Sequence, residues 1–188
     1  MMGTPDRDDV TVVHLVRQGD AAAFEALFLA HYEALVGYAT TFLHSVDAAR
    51  DVVCEVYAIV WEIRSQWAPV GPIRAYLFGA VRNRTLNALR DQERHETLLR
   101  AQPLDMLPLP APMDTTVDDD LEREARWTAI RQAIEGMRGM RGEAMRLRWV
   151  HQLSQAEVAQ ILGISLNAVQ QHLSLALKIL RQEFGGEG

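Results

Sequence analysis

The fold is decided by residues 153–184, which read LSQAEVAQILGISLNAVQQHLSLALKILRQEF. Ser154 with Glu157 three residues later is the capping-box pattern that begins a helix, and Gly163 suits the left-handed residue at which a helix ends. Ser165 can cap a second helix, whose apolar positions follow helical spacing: Val169, Leu173, Ala176 and Leu180. Two helices joined by so short a turn predict a helix-turn-helix, which places its second helix in the major groove of duplex DNA. The alternative interpretation is an ordinary helical hairpin within a bundle.

The second of these helices has a polar, uncharged outer face. Asn and Gln side chains there can pair with base edges, and the candidate contacts with duplex DNA are Ser165, Asn167, Ala168, Gln170, Gln171, His172, Ser174 and Lys178. Residues 167–174 contain no Lys or Arg, although phosphate contacts supply most of the nonspecific affinity for DNA. We therefore expect phosphate contacts from flanking cations, namely Lys178, Arg181, Arg141, Arg146 and Arg148.

The rest of the chain divides into two helical parts. Four of the seven prolines lie at 103, 108, 110 and 112, and an acidic run follows at 118–120, so helix continuation and packing are both disfavoured there. Hydrophobic spacing predicts helices near 10–18, 21–43, 47–67, 73–100, 121–135 and 142–150, followed by the closing pair. The predicted fold is all-α, with small helical domains at 10–100 and 121–184 joined by a flexible, proline-rich, acidic linker at 101–120.

Charge is distributed unevenly along the chain. The net charge is -6, but residues 74–100 hold six Arg against three acidic residues, and residues 126–152 hold six Arg against two. An acidic total therefore does not exclude local basic surfaces that bind DNA. The single Cys54 excludes an internal disulfide framework. No apolar run approaches the roughly 20 residues of a membrane span, and residues 1–9 lack a signal-peptide pattern, so we expect a cytoplasmic protein without membrane insertion.

Two features of the N-terminal part suggest binding surfaces. The third helix carries Asp47, Asp51, Glu55 and Glu62 away from an apolar stripe at Val52, Val56, Ile59 and Ile63. This acidic side is either a solvated face or a docking face for a basic partner. The following loop and fourth helix combine aromatic, Arg and Asn residues: Trp67, Arg74, Tyr76, Phe78, Arg82, Asn83, Arg84, Asn87 and Arg90. These aromatics are either core residues or platforms on which unpaired bases stack while Arg neutralises phosphate.

From 12 to 184 the chain resembles bacterial RNA polymerase sigma factors of the extracytoplasmic-function group. Residues 51–57, DVVCEVY, followed by Trp61, resemble the helix that docks on the clamp of core polymerase. Residues 73–78, IRAYLF, followed by Arg82 and Asn83, resemble the segment that melts and reads the minus-ten promoter element. Residues 143–147 and 153–169 resemble the domain that reads the minus-thirty-five element. The family usually has basic residues near Gln170 and at His172, which this chain lacks.

The resemblance implies partners and residue roles. Core polymerase would be bound through its clamp and flap, with clamp contacts from Asp47, Asp51, Val52, Glu55 and Val56. Melted minus-ten DNA would be bound by Trp67, Arg74, Tyr76, Phe78, Arg82, Asn83, Asn87 and Arg90, and the helix-turn-helix residues given above would contact minus-thirty-five duplex. The resemblance also implies an anti-sigma factor as a partner.

Two other classes of function compete with this interpretation. A stand-alone helix-turn-helix regulator with a helical N-terminal sensor domain would bind DNA without polymerase, usually as a dimer. An enzyme is disfavoured, because the six histidines and Cys54 show no metal-binding spacing and no phosphate-cradling glycine loop occurs. We expect no catalytic residue, no metal and no cofactor.

Overall fold

The structure is a computed structural model that describes residues 7–99 and 119–184. These residues form helices and no strand. The helices are α1 (Arg7–Arg17), α2 (Ala21–Leu43), α3 (Val46–Glu62), α4 (Ile73–Leu99), α5 (Asp119–Gly136), α6 (Gly139–Met145), α7 (Gln155–Leu162) and α8 (Leu166–Phe184). A short 3₁₀ turn follows α3 at Arg64–Gln66, and a π-helical turn follows α6 at Arg146–Val150. The predicted all-α fold and each predicted helix are confirmed, with ends shifted by a few residues.

The N-terminal part packs α2, α3 and α4 together, with α1 against α2. Asp20 caps α2 by accepting a hydrogen bond from the Ala23 amide at 3.0 Å, and Ser45 caps α3 in the same way. The cap of α4 comes from a distant part of the chain, because the Asp9 carboxylate accepts the Ile73 amide hydrogen at 3.0 Å. A carboxylate at a helix N-terminus also interacts favourably with the helix dipole. This bond joins α1 to the start of α4.

The buried face of α3 differs from the predicted apolar stripe. Val52 and Val56 are buried as expected, but Ile59 and Ile63 are 44% and 43% exposed. The centre of the buried face instead follows Ala49, Val53, Val56 and Val60, because α3 contacts both α2 and α4. At 100° per residue, the predicted stripe lies along one edge of this wide face, and Ile63 lies beyond the end of the helix.

The C-terminal part forms the predicted helix-turn-helix. Both capping-box bonds are present, from the Glu157 amide to Ser154 Oγ at 3.2 Å and from the Ser154 amide to Glu157 Oε2 at 2.7 Å. Gly163 ends α7 in the left-handed conformation, with φ of 66°. Ser165 Oγ accepts the Ala168 amide hydrogen at 3.2 Å at the start of α8. The predicted apolar stripe of α8 is buried at Val169, Leu173, Ala176 and Leu180.

The two parts of the chain are packed against each other, chiefly through α4 and α7. The predicted linker at 101–120 lies outside the described residues except for its last two residues, which begin α5. Within the described residues, no helix is long and apolar enough to cross a membrane.

Candidate nucleic-acid interface

One side of α4 is exposed and polar. Asn83, Asn87 and Arg90 all face solvent, and Arg90 Nη1 donates a hydrogen bond to Asn87 Oδ1 at 3.0 Å. We call these three residues the α4 exposed strip. Tyr76 lies on the same side of the helix but is half-buried, with its ring centroid 5.9 Å from that of Trp67. The strip can present amide groups and one cation to a nucleic acid.

Two of the predicted base-stacking residues are core residues in this structure. Trp67 is 1% exposed and Phe78 is 0% exposed. The Phe78 ring lies between Tyr38, at a centroid distance of 5.3 Å, and His151, at 4.9 Å. Neither ring faces solvent where a flipped base would stack. The sequence-based assignment is therefore corrected in favour of the core alternative at these two positions.

The opposite side of α4 faces the C-terminal part. Arg82 Nε and Nη2 donate to the Glu143 carboxylate at 2.5 and 3.3 Å, and the Tyr38 hydroxyl donates to Glu143 Oε1 at 2.8 Å. Arg74 Nη2 donates to the carbonyl oxygen of His151. We call Arg74, Phe78 and Arg82 the α4 covered stripe, since each contacts a residue of the C-terminal part. Both arginines are thus occupied by protein groups.

Burial and charge perturb the groups in this contact. Burial, together with the positive charges of Arg74 and Arg146, lowers the pKa of His151 to about 4. Burial and the neighbouring Glu143 carboxylate raise the pKa of the Tyr38 hydroxyl far above its ordinary value. His151 is therefore neutral at pH 7, and Tyr38 remains a hydrogen-bond donor to Glu143.

The acidic side of α3 is a second candidate surface. Asp47, Asp51, Cys54 and Ala58 are exposed, and half-buried Glu55 accepts a hydrogen bond from Arg84 Nε of α4 at 2.6 Å. We call these five α3 residues the α3 outer face. Sequence reasoning did not assign Cys54 or Ala58 to a surface, although both lie at helical spacing from Asp51.

Two residues predicted to contact the polymerase clamp do not belong to this face. Val52 and Val56 are buried in the core, with 6% and 4% exposure, so they hold α3 in place and do not contact a partner in this structure. Asp47 is additionally paired with Arg50 at 3.5 Å on the surface, an interaction that solvent largely screens.

The outer face of α8 is open and uncharged at its centre. Asn167, Gln170, Gln171, Ser174 and Leu175 line a shallow depression. Gln170 Nε2 donates to Gln155 Oε1 at 3.3 Å, which ties the recognition helix to the start of α7. This surface can offer several hydrogen-bonding groups to base edges but no positive charge to phosphate.

The remaining predicted contacts of α8 differ in accessibility. Ser165 is exposed but is used as the helix cap, whereas Ala168 and His172 are half-buried. Lys178 and Arg181 are exposed further along the helix.

The flanking arginines also separate into exposed and buried residues. Arg141 and Arg148 are exposed, but Arg146 is buried and its Nη1 donates to the carbonyl oxygens of Ile134, Glu135 and Met137. Arg146 therefore secures the end of α5 and does not contact phosphate as predicted. Within the described residues, no group of three His, Cys, Asp or Glu side chains lies close enough together to hold a metal ion.

Comparisons with known proteins agree with this arrangement. The family model described as Sigma-70 region 2 matches residues 27–95, and the one described as Sigma-70, region 4 matches residues 127–180, so that together they cover about two thirds of the chain. A relative described as an ECF RNA polymerase sigma factor SigK, from Mycolicibacterium vanbaalenii, is 23% identical over 171 residues, which are 90% of this chain and 86% of the relative.

Solved structures share the fold. CnrH in complex with the cytosolic domain of CnrY has a TM-score of 0.63 and 20% identity, with 96% of this chain and 99% of CnrH covered. The sigma factor RpoE in complex with the anti-sigma factor NepR from Bartonella quintana has a TM-score of 0.63 and 18% identity, with 88% and 98% covered. With region 2 and region 4 present in order on this helical fold, the chain belongs to the sigma-70 family, as a sigma factor of the extracytoplasmic-function group.

Proposed function

We propose that this sigma factor binds core RNA polymerase through the α3 outer face, contacts melted minus-ten DNA through the α4 exposed strip and reads minus-thirty-five duplex through α8. Its function is to direct promoter recognition and transcription initiation. The observation that carries the proposal is the presence, in one chain, of two separate polar surfaces on region 2 and region 4. A stand-alone regulator needs only the helix-turn-helix, so the region 2 match and its exposed amides favour the sigma factor.

The residue roles follow from exposure and chemistry. On α4, Asn83, Asn87 and Arg90 are exposed and can contact a nucleic acid in this structure, whereas Arg74 and Arg82 are bonded to His151 and Glu143. On α8, amide side chains supply base-edge contacts, and Lys178, Arg181, Arg141 and Arg148 supply phosphate contacts. Weak charge is tolerable there, because tethering to polymerase raises the effective concentration of the DNA-reading helix.

The proposal extends to organisation and partners. We place region 2 in a domain at 10–100 and region 4 in a domain at 121–184, joined by the proline-rich acidic segment 101–120, and we place the protein in the cytoplasm with core polymerase. We expect the α3 outer face to bind the clamp of core polymerase and the C-terminal domain to bind its flap. An anti-sigma factor is a further partner, supported by the similarity of fold to RpoE bound to NepR.

The test is run-off transcription with purified core polymerase, comparing two matched surface variants. Asn83→Ala removes an exposed amide from α4, and we expect promoter opening to fall about 10- to 100-fold, as for the loss of one base contact, while core affinity stays within about twofold. Asp51→Arg reverses charge on the α3 outer face, and we expect it to lower core affinity instead. Exposed Glu33→Ala on α2 is the control. A wild-type protein that neither binds core polymerase nor initiates transcription would contradict the proposed function. If Asn83→Ala lowers promoter opening and core affinity equally, Asn83 does not have the role assigned to it.

A further inference from the structure

The open face of α8 combines hydrogen-bonding groups with one apolar side chain. The shallow depression on this face is lined by Asn167, Gln170, Gln171, Ser174 and Leu175. From 149 to 177, a range that includes all of α7 and the first turns of α8, the sequence contains no Lys or Arg. The side chains that can meet base edges here are therefore amides, a hydroxyl and a leucine.

The lack of cations decides which bases this surface recognises well. Guanine is most often recognised by an Arg or Lys side chain that bonds to both N7 and O6. Adenine presents an acceptor at N7 and a donor at N6, and the amide of an Asn or Gln matches this pair. Asn167 and Gln170 are exposed amides three residues apart, on one side of α8. The surface thus matches adenine and lacks the groups that favour guanine.

Gln170 is already oriented by a contact within the helix-turn-helix. Its Nε2 donates a hydrogen bond at 3.3 Å to Oε1 of Gln155, the first residue of α7. This bond uses one N–H of the amide and leaves the other N–H and the carbonyl oxygen for N7 and N6 of an adenine. Because the side chain is ordered before DNA binds, less conformational entropy is lost on binding.

Leu175 adds an apolar contact to the same surface. Its side chain is 48% exposed, and it lies one helical turn beyond Gln171. A leucine offers neither a hydrogen bond nor a charge to DNA, but it can pack against the C5 methyl group of thymine, which the other bases lack. An A·T pair presents the adenine N7 and N6 groups and the thymine methyl group together in the major groove. Leu175 and the amides therefore select the same base pair.

The length of this surface sets the size of the element. Asn167 and Leu175 are eight residues apart, which is about 12 Å along the helix axis. We propose that α8 reads a run of about four A·T pairs, given a spacing of about 3.4 Å between successive bases. Asn167 and Gln170 contact adenines, and Leu175 contacts a thymine methyl group. The proposal rests on the proposed function, and it adds the base composition of the duplex and Leu175 as a specificity-determining residue.

The first test selects duplexes that the full-length chain retains when it is bound to core polymerase, from a promoter-length pool of random sequence. The selected duplexes should share an A·T run at the minus-thirty-five position, without a fixed G·C pair inside it. An element there whose fixed positions are G·C pairs would overturn the proposal, and so would retention of duplexes without any shared element at that position.

The second test removes single methyl groups from a selected duplex by replacing one thymine at a time with uracil. For the wild type, one such replacement should weaken binding about fourfold, the effect of losing one buried methyl-sized group. Leu175→Ala should bind the thymine duplex more weakly and should no longer respond to that replacement. Ile179→Ala is the matched control, because Ile179 is exposed one turn further along α8 and outside the depression. This control should respond to uracil as the wild type does.

The outcomes separate a base contact from other roles of Leu175. If no uracil replacement weakens binding, or if Leu175→Ala responds as strongly as the wild type, Leu175 does not contact a thymine. If Leu175→Ala and Ile179→Ala both weaken binding to core polymerase while uracil has no effect, the exposed leucine is a protein contact, and the proposal is overturned. Failure of the proposed function looks different, because the wild-type chain would then not bind core polymerase at all.

Discussion

The two candidate DNA surfaces of this protein, on α8 and on α4, differ in their exposure to solvent and in their positive charge. The centre of the α8 surface is exposed but has no Lys or Arg from 167 to 174, whereas two arginines of α4, Arg74 and Arg82, are bound by residues of the C-terminal part. Affinity for DNA comes mainly from phosphate neutralisation, and selectivity comes from base edges. If both surfaces bind DNA as proposed, the α8 surface offers hydrogen-bonding groups with little charge, and the guanidinium groups of Arg74 and Arg82 are bonded to protein groups in this structure.

The largest expected effect is on stability and concerns Phe78, the buried aromatic residue of the α4 covered stripe. Phe78→Ala should lower the free energy of unfolding by about 3–5 kcal/mol, because the ring is completely buried against Tyr38 and His151. Urea unfolding followed by circular dichroism measures this change. The exposed Asn83→Ala on the other side of α4 is the control and should stay within about 0.5 kcal/mol of the wild type. A similar small change for Phe78→Ala would return that ring to the role of a base-stacking residue.

The second effect concerns pH. The pKa of His151 is about 4 in the folded chain, below its ordinary 6.5, because of burial and the charges of Arg74 and Arg146. The unfolded chain therefore takes up the proton first as pH falls, so stabilisation is fully present above pH 6.5 and is lost on going down to pH 4. The loss amounts to about 3 kcal/mol across that window.

The unfolding free energy measured by urea titration at several pH values checks this expectation. His151→Phe preserves a ring against Phe78 and Tyr38 but cannot be protonated, so its profile should be flatter between pH 6.5 and 4. Other groups titrate in both chains, and the difference between the two profiles isolates His151. Parallel profiles would show that His151 does not titrate differently in the folded and unfolded chains.

The third expected effect is on DNA affinity and comes from adding a positive charge to the α8 surface. Gln171→Lys places a cation in the uncharged part of α8, and we expect holoenzyme binding to promoter duplex to tighten up to about tenfold at low salt. The slope of log affinity against log salt concentration should steepen by about one, as for one added phosphate contact. Gln132→Lys on α5 is exposed and outside this surface, so it supplies the same charge as a control. Equal gains from both variants would mean that net charge, not position, governs binding.

The comparison also shows which features local sequence predicts. The capping box at Ser154, the left-handed Gly163 and the buried stripe of α8 depend on residues a few positions apart, and all were correctly predicted. The surroundings of Arg74, Phe78 and Arg82 depend on His151 and Glu143, which lie more than 60 residues away in the chain. A cluster of aromatic and basic residues looks the same in a sequence whether DNA or another domain covers it.

Arg146 illustrates the same limit at shorter range. Its charge predicted a phosphate contact, but its guanidinium donates to carbonyl oxygens in the last turn of α5 and just beyond it. The position of Asp47 and Asp51 away from the core side of α3 could be predicted from helical spacing alone. The edge position of Ile59 and Ile63 could not, because it depends on α3 packing against two helices at once.

The smallest expected effect concerns α7, which lies between the α8 surface and the α4 covered stripe. Ser154→Ala removes the cap of α7 and should cost about 1 kcal/mol of unfolding free energy, since the Glu157 amide loses its acceptor. The exposed turn variant Ser65→Ala should be close to neutral. Because α7 also carries Gln160, which bonds to Val70, a loosened α7 should also weaken the packing of α7 against α4. Thermal unfolding of both variants measures stability. Energy transfer between a dye on Cys54 and a dye on an introduced Arg181→Cys measures the packing of the C-terminal part against the N-terminal part. A loss of stability with unchanged energy transfer would mean that the cap of α7 does not affect the packing of α7 against α4.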